Sequence, residues 1–524
     1  MRWLAPLPFV LLLEVHHFAS ALRVTAEARS RSVPRHPHLA PRANVSGIPI
    51  KNTQNVQYVG NITLGGNSLA VILDTGSSDL WVAADVPGAK DTGKSVSLSY
   101  AIGVAKGNVN TAPMVFDNYT VADQAFVLVK DTSTFSSSFA TDGYQGLIGL
   151  GPNTGSVVHK TVGSSADSPL FRIFEQNTTS QNFISVLLDR QSDPGDPVTA
   201  QFTISEVVSG FENITSQPKL TIKDVPTLTS ADQHWAVFTD KDGVIGPDGQ
   251  VIDVSSIVPH APDGKLVAVF DSGFSLPQVP RAMSDAIYGR VQGAAYDATN
   301  EWWTLPCDQE LNLTIKFGGI DFPVHPLDVN SDDLGAKDSS GNPVCVGLFQ
   351  PITSAFSLLG EFDMILGMGF MRNSYTLIDF GNFVSGSSSD RNDPFVQLLP
   401  LTDRNAAHAD FVTVRLNGVD TTGSSTKTLL PASQESHSPE SAAEKKQHRE
   451  GAVLRYWPYI LIGCLAFVIL VVGTCVWACC CRRKKTARAN VGFKNPYQSI
   501  NEPAPPPLHM QAMGGQYADP YGRR

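Results

Sequence analysis

Two short runs carry the residues that could do chemistry. AVILDTGSSDLWV, residues 70–82, sets Asp74 after an apolar run and follows it with Thr75, Gly76 and Ser77. AVFDSGFSLPQVP, residues 268–280, repeats the layout with Asp271, Ser272 and Gly273, but its next residue is Phe274. A glycine two places after each aspartate lets the backbone bend closely round the carboxylate. The adjacent hydroxyls of Thr75 and Ser272 can hold one turn against the other through hydrogen bonds. Where two such turns meet, the carboxylates share a site with little water and cannot both ionise easily. The charged member can then take a proton from water while the neutral one gives its proton to a carbonyl oxygen. That is hydrolysis of an amide by general acid and base, and it calls for no metal, no cofactor and no covalent intermediate.

The elements that position these turns are repeated as well. Asp74 is followed 75 positions later by Gly149 in GlyLeuIleGly, and Asp271 is followed 96 positions later by Gly367 in MetIleLeuGly. Two lobes related by an approximate two-fold axis would bring the acid turns face to face. Around them, from Ile48 to about Leu416, short runs such as YVGNITLGG, FISVLLD and LTIKFGG alternate with Gly, Pro, Asn and Asp. Several have period two and few long helical stretches intervene, so the body is mainly β.

With 524 residues, 17% of them charged and 42% hydrophobic, the chain is long enough for two or more packed units. Its net charge of −10 is unevenly placed. Beyond Cys481 eight Lys or Arg stand against Glu502 and Asp519, which leaves −16 for the rest. So acidic a body argues against nucleic acid as a partner and suits work at low pH. Residues 1–21 read as a secretory signal, with Arg2, an apolar stretch and small residues at Ala19 and Ala21. Residues 22–47, rich in Arg, His and Pro, are either a propeptide masking a carboxylate site or a flexible leader.

Residues 456–478 hold no charge and, at about 1.5 Å per residue, reach about 34 Å as a helix, enough for a bilayer core. Arg482 to Lys485 follow at once, and with the signal they give a single-pass type I orientation. The body would then face the lumen of a secretory or vacuolar compartment or the cell exterior. Six sequons agree, at Asn44, Asn61, Asn118, Asn177, Asn213 and Asn312, all before the span. Cys307 and Cys345, the two cysteines of the lumenal part, are expected to form a disulfide. Cys479, Cys480 and Cys481 are either palmitoylation sites or simple helix-end residues. Residues 417–453, Ser- and Thr-rich with almost no large apolar residues, read as a stalk, and residues 479–524 as a disordered cytoplasmic tail.

Residues 48–416 resemble the pepsin-like aspartic proteases, in the manner of a membrane-anchored fungal member. The resemblance is carried by YVGNITLG from Tyr58 to Gly65, by DTGSSDLWV from Asp74, by Gly146 to Gly149, by Asp271 to Gly273, by the cysteine pair and by ILGMGFMRNSYTLID from Ile365 to Asp379. It implies a mainly β, bilobal fold with a peptide cleft between two pseudo-two-fold related lobes, 48–213 and 214–416. It further implies a monomer, Asp74 and Asp271 as catalytic pair, Thr75, Gly76, Ser77, Ser272 and Gly273 in support, and a peptide or protein substrate. A hairpin flap would carry Tyr100 and Gly103, with Trp81 placed to hydrogen-bond the tyrosine. Three features depart from the family pattern: Phe274 in place of Ser or Thr, Ala101-Ile102 in the flap, and only 26 residues between Asp74 and Tyr100. An acid endopeptidase and a peptide-binding or adhesion protein on a retired protease scaffold both stay open on this reading, since fold alone does not choose between them.

Overall fold

A computed structural model describes residues 48–53, 55, 57–100, 103–135, 143–177, 181–191, 198–225, 233–338, 340–353, 361–384 and 393–486. The expected signal, the leader with Asn44, the flap residues Ala101 and Ile102 and the tail beyond Thr486 lie outside them. The chain divides into two compact units, Met1–Leu454 and Arg455–Arg524.

In the first unit the internal repeat becomes a repeated sheet. The acid strand Asn67–Asp74 runs parallel to Gly146–Gly149, with Asp74 level with Gly149. Gly146–Gly149 runs antiparallel to Leu80–Val82, which lies parallel to Tyr119–Val129. In the second half Val267–Phe270 runs parallel to Met364–Leu366, which pairs antiparallel with Gln278–Val279, itself parallel to Gln350–Pro351. Strand order and directions are thus the same in both halves. Parallel strands covered on both faces must be apolar throughout, which is why both acids follow unbroken apolar runs, VIL and AVF. The glycine closing each partner strand is needed for a close crossing. A Cβ on Gly149 would strike the backbone of Ser78 and Asp79, and one on Gly367 would strike the Phe274 carbonyl.

Beneath both halves, among the described residues, lies a six-stranded sheet to which each contributes. Phe183–Leu187 pairs there with Ser374–Asp379, Val186 level with Thr376. One hydrophobic core runs through both halves, from Ile48 and Val71 to Phe270 and Val396. A buried ion cluster joins them too. Asp328 accepts from Arg190 Nη2 at 2.5 Å and from Arg372 Nε at 2.7 Å, and Arg372 also donates to the Asn55 carbonyl at 2.9 Å. Cys307 and Cys345 are disulfide-bonded. The sequon residues Asn61, Asn118, Asn177, Asn213 and Asn312 are all exposed.

The segment read as a stalk differs from that reading. After the helix Arg404–Arg415, residues 417–441 run as a strap over the second half. Leu430 and Ser436 N–H donate to the carbonyls of Arg290 and Gly289 at 2.8 and 2.9 Å. Ser438 Oγ donates to Asp285 at 2.6 Å, and Arg281 Nε to Glu444 at 2.8 Å. Hydrogen bonds and the ion pair of Lys427 with Asp308 fix this strap, and Leu429 packs against the main core. The helix Ala442–Thr486 then continues beyond residue 479, into the stretch expected to be tail. Within it Tyr459–Cys479, mean hydropathy 2.7 and wholly exposed, is long and apolar enough to cross a membrane.

The ion cluster gives a test. Burial pushes the Asp328 carboxyl up, but the guanidiniums of Arg190 and Arg372 outweigh it and hold the pKa at about 2. Asp328→Asn leaves both cations without their carboxylate, so urea unfolding at neutral pH is expected to show a loss of about 3–5 kcal/mol. Because the folded value lies below the ordinary one near 3.9, the contribution is complete above about pH 4 and fades as pH falls to about 2. The deficit of the variant is expected to shrink over that window.

Candidate active site

The two acid turns meet at the junction of the halves. Thr75 N–H donates to Ser272 Oγ at 3.1 Å, and Ser272 N–H donates to Thr75 Oγ1 at 2.9 Å. Each hydroxyl reaches further, Thr75 to the Phe270 carbonyl at 3.0 Å and Ser272 to the Leu73 carbonyl at 2.7 Å. This four-bond clamp is buried and reads the same from either half. It brings the carboxylates face to face across the opposing glycines. A Cβ on Gly76 would fall inside the Asp271 carboxylate, and one on Gly273 against that of Asp74. Any other residue at these positions would separate the acids.

The carboxylates are not equivalent. Asp74 accepts the Gly76 N–H at 2.8 Å and the Ser77 hydroxyl at 2.5 Å. Asp271 accepts the Gly273 N–H at 2.7 Å. Where Ser77 stands in the first turn, Phe274 stands in the second. Burial raises both pKa values. For Asp74 the Ser77 hydroxyl, the Gly76 N–H and a hydrogen bond from Asp271 pull back against it. For Asp271 burial is reinforced by the Asp74 charge, which drives it well above the usual carboxylate range against the Gly273 N–H. Asp271 is therefore pushed further toward the protonated form than Asp74.

The hairpin of Lys90–Tyr100 and Gly103–Phe116 closes with Tyr100 level with Gly103. Gly103 has φ 146°, and a Cβ there would strike the backbone of Thr134 and Phe135, so the start of the second hairpin strand lies against these two residues. Tyr100 is within hydrogen-bonding reach of Ser77 and Trp81, and burial drives its hydroxyl well above its ordinary pKa. Trp81 is fully buried, its ring 6.2 Å from that of Tyr100 and 5.2 Å from that of Phe135. The flap residue thus joins the first turn through Ser77. The disulfide and the sequon residues take no part here, and among the described residues there is no His, Cys, Asp and Glu group fit to hold a metal.

Sequence reasoning missed two contributors. Asp79 is buried and accepts Ser156 Oγ at 2.5 Å and the Val157 and Val158 N–H groups at 2.9 and 3.1 Å. It ties the exit of the first turn to the start of the helix Val157–Val162, whose N-cap is Ser156. The signal was available in that serine before an apolar pair. His234 lies within Coulombic reach of Asp74 although 160 positions away, and no local motif marks it.

Known proteins resemble this chain over the same region. It is 25% identical over 373 residues to "Major aspartyl peptidase 1" of Cryptococcus neoformans var. grubii, covering 65% of this chain and 71% of that protein. It is 26% identical over 364 residues to "Vacuolar protease A" of Neurospora crassa, covering 65% and 81%, and 25% identical over 382 residues to "Penicillopepsin-3" of Penicillium janthinellum, covering 69% and 85%. The eukaryotic aspartyl protease family model matches residues 57–87 and 85–389, the stretch that holds both acid turns, the hairpin and the repeated sheets. The chain belongs to the eukaryotic aspartyl protease family.

Proposed function

We propose that this protein is an aspartic endopeptidase working in acid, with Asp74 and Asp271 as its catalytic pair. The observation that carries the reading is the reciprocal clamp of Thr75 and Ser272, which holds two carboxylates together at a desolvation cost that a purely structural turn gives no reason to bear. In the reaction, Asp74 takes a proton from a water whose oxygen attacks the scissile carbonyl carbon, while Asp271 gives its proton to the carbonyl oxygen. The tetrahedral intermediate then collapses: one hydroxyl proton returns to Asp271, and Asp74 passes its proton to the leaving amine. Water and amide become acid and amine, and the dyad ends as it began. Tyr100 would close over an extended substrate held by main-chain hydrogen bonds.

The anchor and address belong to the same proposal. A secretory signal at residues 1–21 and the apolar Tyr459–Cys479 make a type I membrane protein, with the protease unit lumenal or extracellular at the cell surface or in a secretory or vacuolar compartment. Five exposed sequon asparagines are in keeping with a glycosylated body.

The full chain in detergent, incubated with a peptide library at pH 3–7, is expected to cleave peptides, and pepstatin or Asp271→Asn to abolish cleavage. A folded chain free of residues 22–47 that cleaves nothing would favour a peptide-binding role instead. Phe274→Thr supplies the hydroxyl that Asp271 lacks. A hydrogen bond to the charged form stabilises it by roughly 1.5–3 kcal/mol, so the upper limb of the pH–rate profile is expected to move to lower pH. An unmoved profile would show that Phe274 does not set the asymmetry.

A further inference from the structure

The helix Arg404–Arg415 and the strap after it lie beyond residue 389, the last that the family model matches, and His408 stands where helix, strap and body meet. Its Nδ1 lies 3.0 and 2.9 Å from the two carboxylate oxygens of Glu310, and its Nε2 3.4 Å from Asp420 Oδ2. Glu310 belongs to the body and its side chain is only 11% exposed, whereas Asp420 belongs to the strap. Both ring nitrogens therefore face a carboxylate. Only the charged imidazole carries a proton on each nitrogen, and the neutral ring must turn a lone pair toward one of the two anions. Asp420 in turn accepts the Thr422 N–H and hydroxyl at 2.9 and 2.7 Å, so the turn that opens the strap is built round the same carboxylate. Next to Glu310, Asp308 pairs with Lys427 of the strap, and Gln309 Nε2 donates to the Lys427 carbonyl at 3.2 Å.

We infer that His408 is a pH-sensitive latch: its imidazolium ties Asp420 of the strap to Glu310 of the body in acid, and loss of its proton loosens residues 417–441 above neutral pH. The device is separate from the dyad and does not rest on the protease reading. The Glu310 hydrogen bond raises the His408 pKa above 6.5 against burial, and the charges of Glu310 and Asp420 add to the rise. A base whose pKa is raised by folding contributes fully below its ordinary value, and that contribution is lost as pH climbs through the raised one. The latch is therefore set below about pH 6.5 and opens above it. The other charged groups of the helix are engaged elsewhere. Arg404 donates to Thr314 Oγ1 at 2.9 Å and stands 3.7 Å from Asp321, Asp410 lies 3.7 Å from His325, and Arg415 pairs with Asp332. The strap runs into the helix that carries Tyr459–Cys479, so each residue it releases adds up to about 3.5 Å of free chain ahead of that segment.

Amide hydrogen exchange of the full chain in detergent, corrected for the intrinsic pH dependence of exchange, reads the latch directly. Between pH 5.5 and pH 8.5 the protection of residues 417–430, including the Leu430 N–H bonded to the Arg290 carbonyl, is expected to fall about fivefold, the scale of one partly exposed ion pair. In His408→Gln protection is expected to be low at both pH values. Asp420→Asn, which alters an exposed position on the strap and leaves the helix untouched, is expected to flatten the step in the same way. Unchanged protection at Val267–Phe270 shows in each variant that the body is still folded. Wild-type protection that is equal at the two pH values overturns the inference. A step of wild-type size in either variant overturns it too, because another group then drives the change. Hydrolysis of peptides has no bearing on the result, and its absence counts against the protease reading alone.

Discussion

Bringing Asp74 and Asp271 together takes two ionisable groups out of water and sets like charges against each other, at a cost on the order of several kcal/mol per ion. That cost has to be met by structure that cannot relax. The clamp of Thr75 and Ser272 meets it locally: two of its four bonds link the turns to each other, and two end on the carbonyls of Leu73 and Phe270 in the two acid strands. Those strands are held in turn by parallel partners, and the partners by close crossings that only Gly149 and Gly367 permit. Each layer fixes the one above it, from apolar run to strand to turn to carboxylate. The shared proton settles the remaining conflict, because one member of the pair stays neutral.

Much of this was legible in the sequence because it is local. AspThrGly and AspSerGly each hold their acid, hydroxyl and glycine within three residues, and the apolar runs before them report strands covered on both faces. The disulfide followed from Cys307 and Cys345 being the two cysteines of the stretch before the apolar span. What could not be read depends on pairings between distant segments. Asp79 meets Ser156 only because the chain returns to it 77 positions later. The six-stranded sheet draws its middle strands from both halves, with nothing in FISVL or SYTLID to name the partner. Residues 417–441 misled for a different reason. Apolar content predicts burial by the hydrophobic effect, and this segment is held largely by Ser438 and by backbone amides, whose partners Asp285, Gly289 and Arg290 lie far back in the chain.

Of the departures from the family pattern, Phe274 falls on the second half, and Ala101-Ile102 and the short span from Asp74 to Tyr100 fall on the first. Ser77 serves Asp74 and links it to Tyr100, whereas Asp271 has Phe274 beside it, a ring where a hydroxyl would favour the anion. The pseudo-symmetry of the backbone thus carries an asymmetric pair of carboxyls, that of Asp271 raised further than that of Asp74. The ion cluster of Arg190, Asp328 and Arg372 is suited to acid in its own right. A carboxylate held near pKa 2 between two guanidiniums stays charged in acid that would protonate an ordinary one.

The strap has a further consequence in the order of synthesis. The partners of Arg281 and Asp285 stand 163 and 153 residues later in the chain, beyond the last residue matched by the family model. Contacts at such separation close large loops and form late. As chains fold while they are made, largely from the N-terminus, the helix bearing Arg281 waits with its charges unmet until residues next to the apolar Tyr459–Cys479 segment have been made. Completion of the folded β body and emergence of the hydrophobic segment are therefore events of the same moment in the life of each chain.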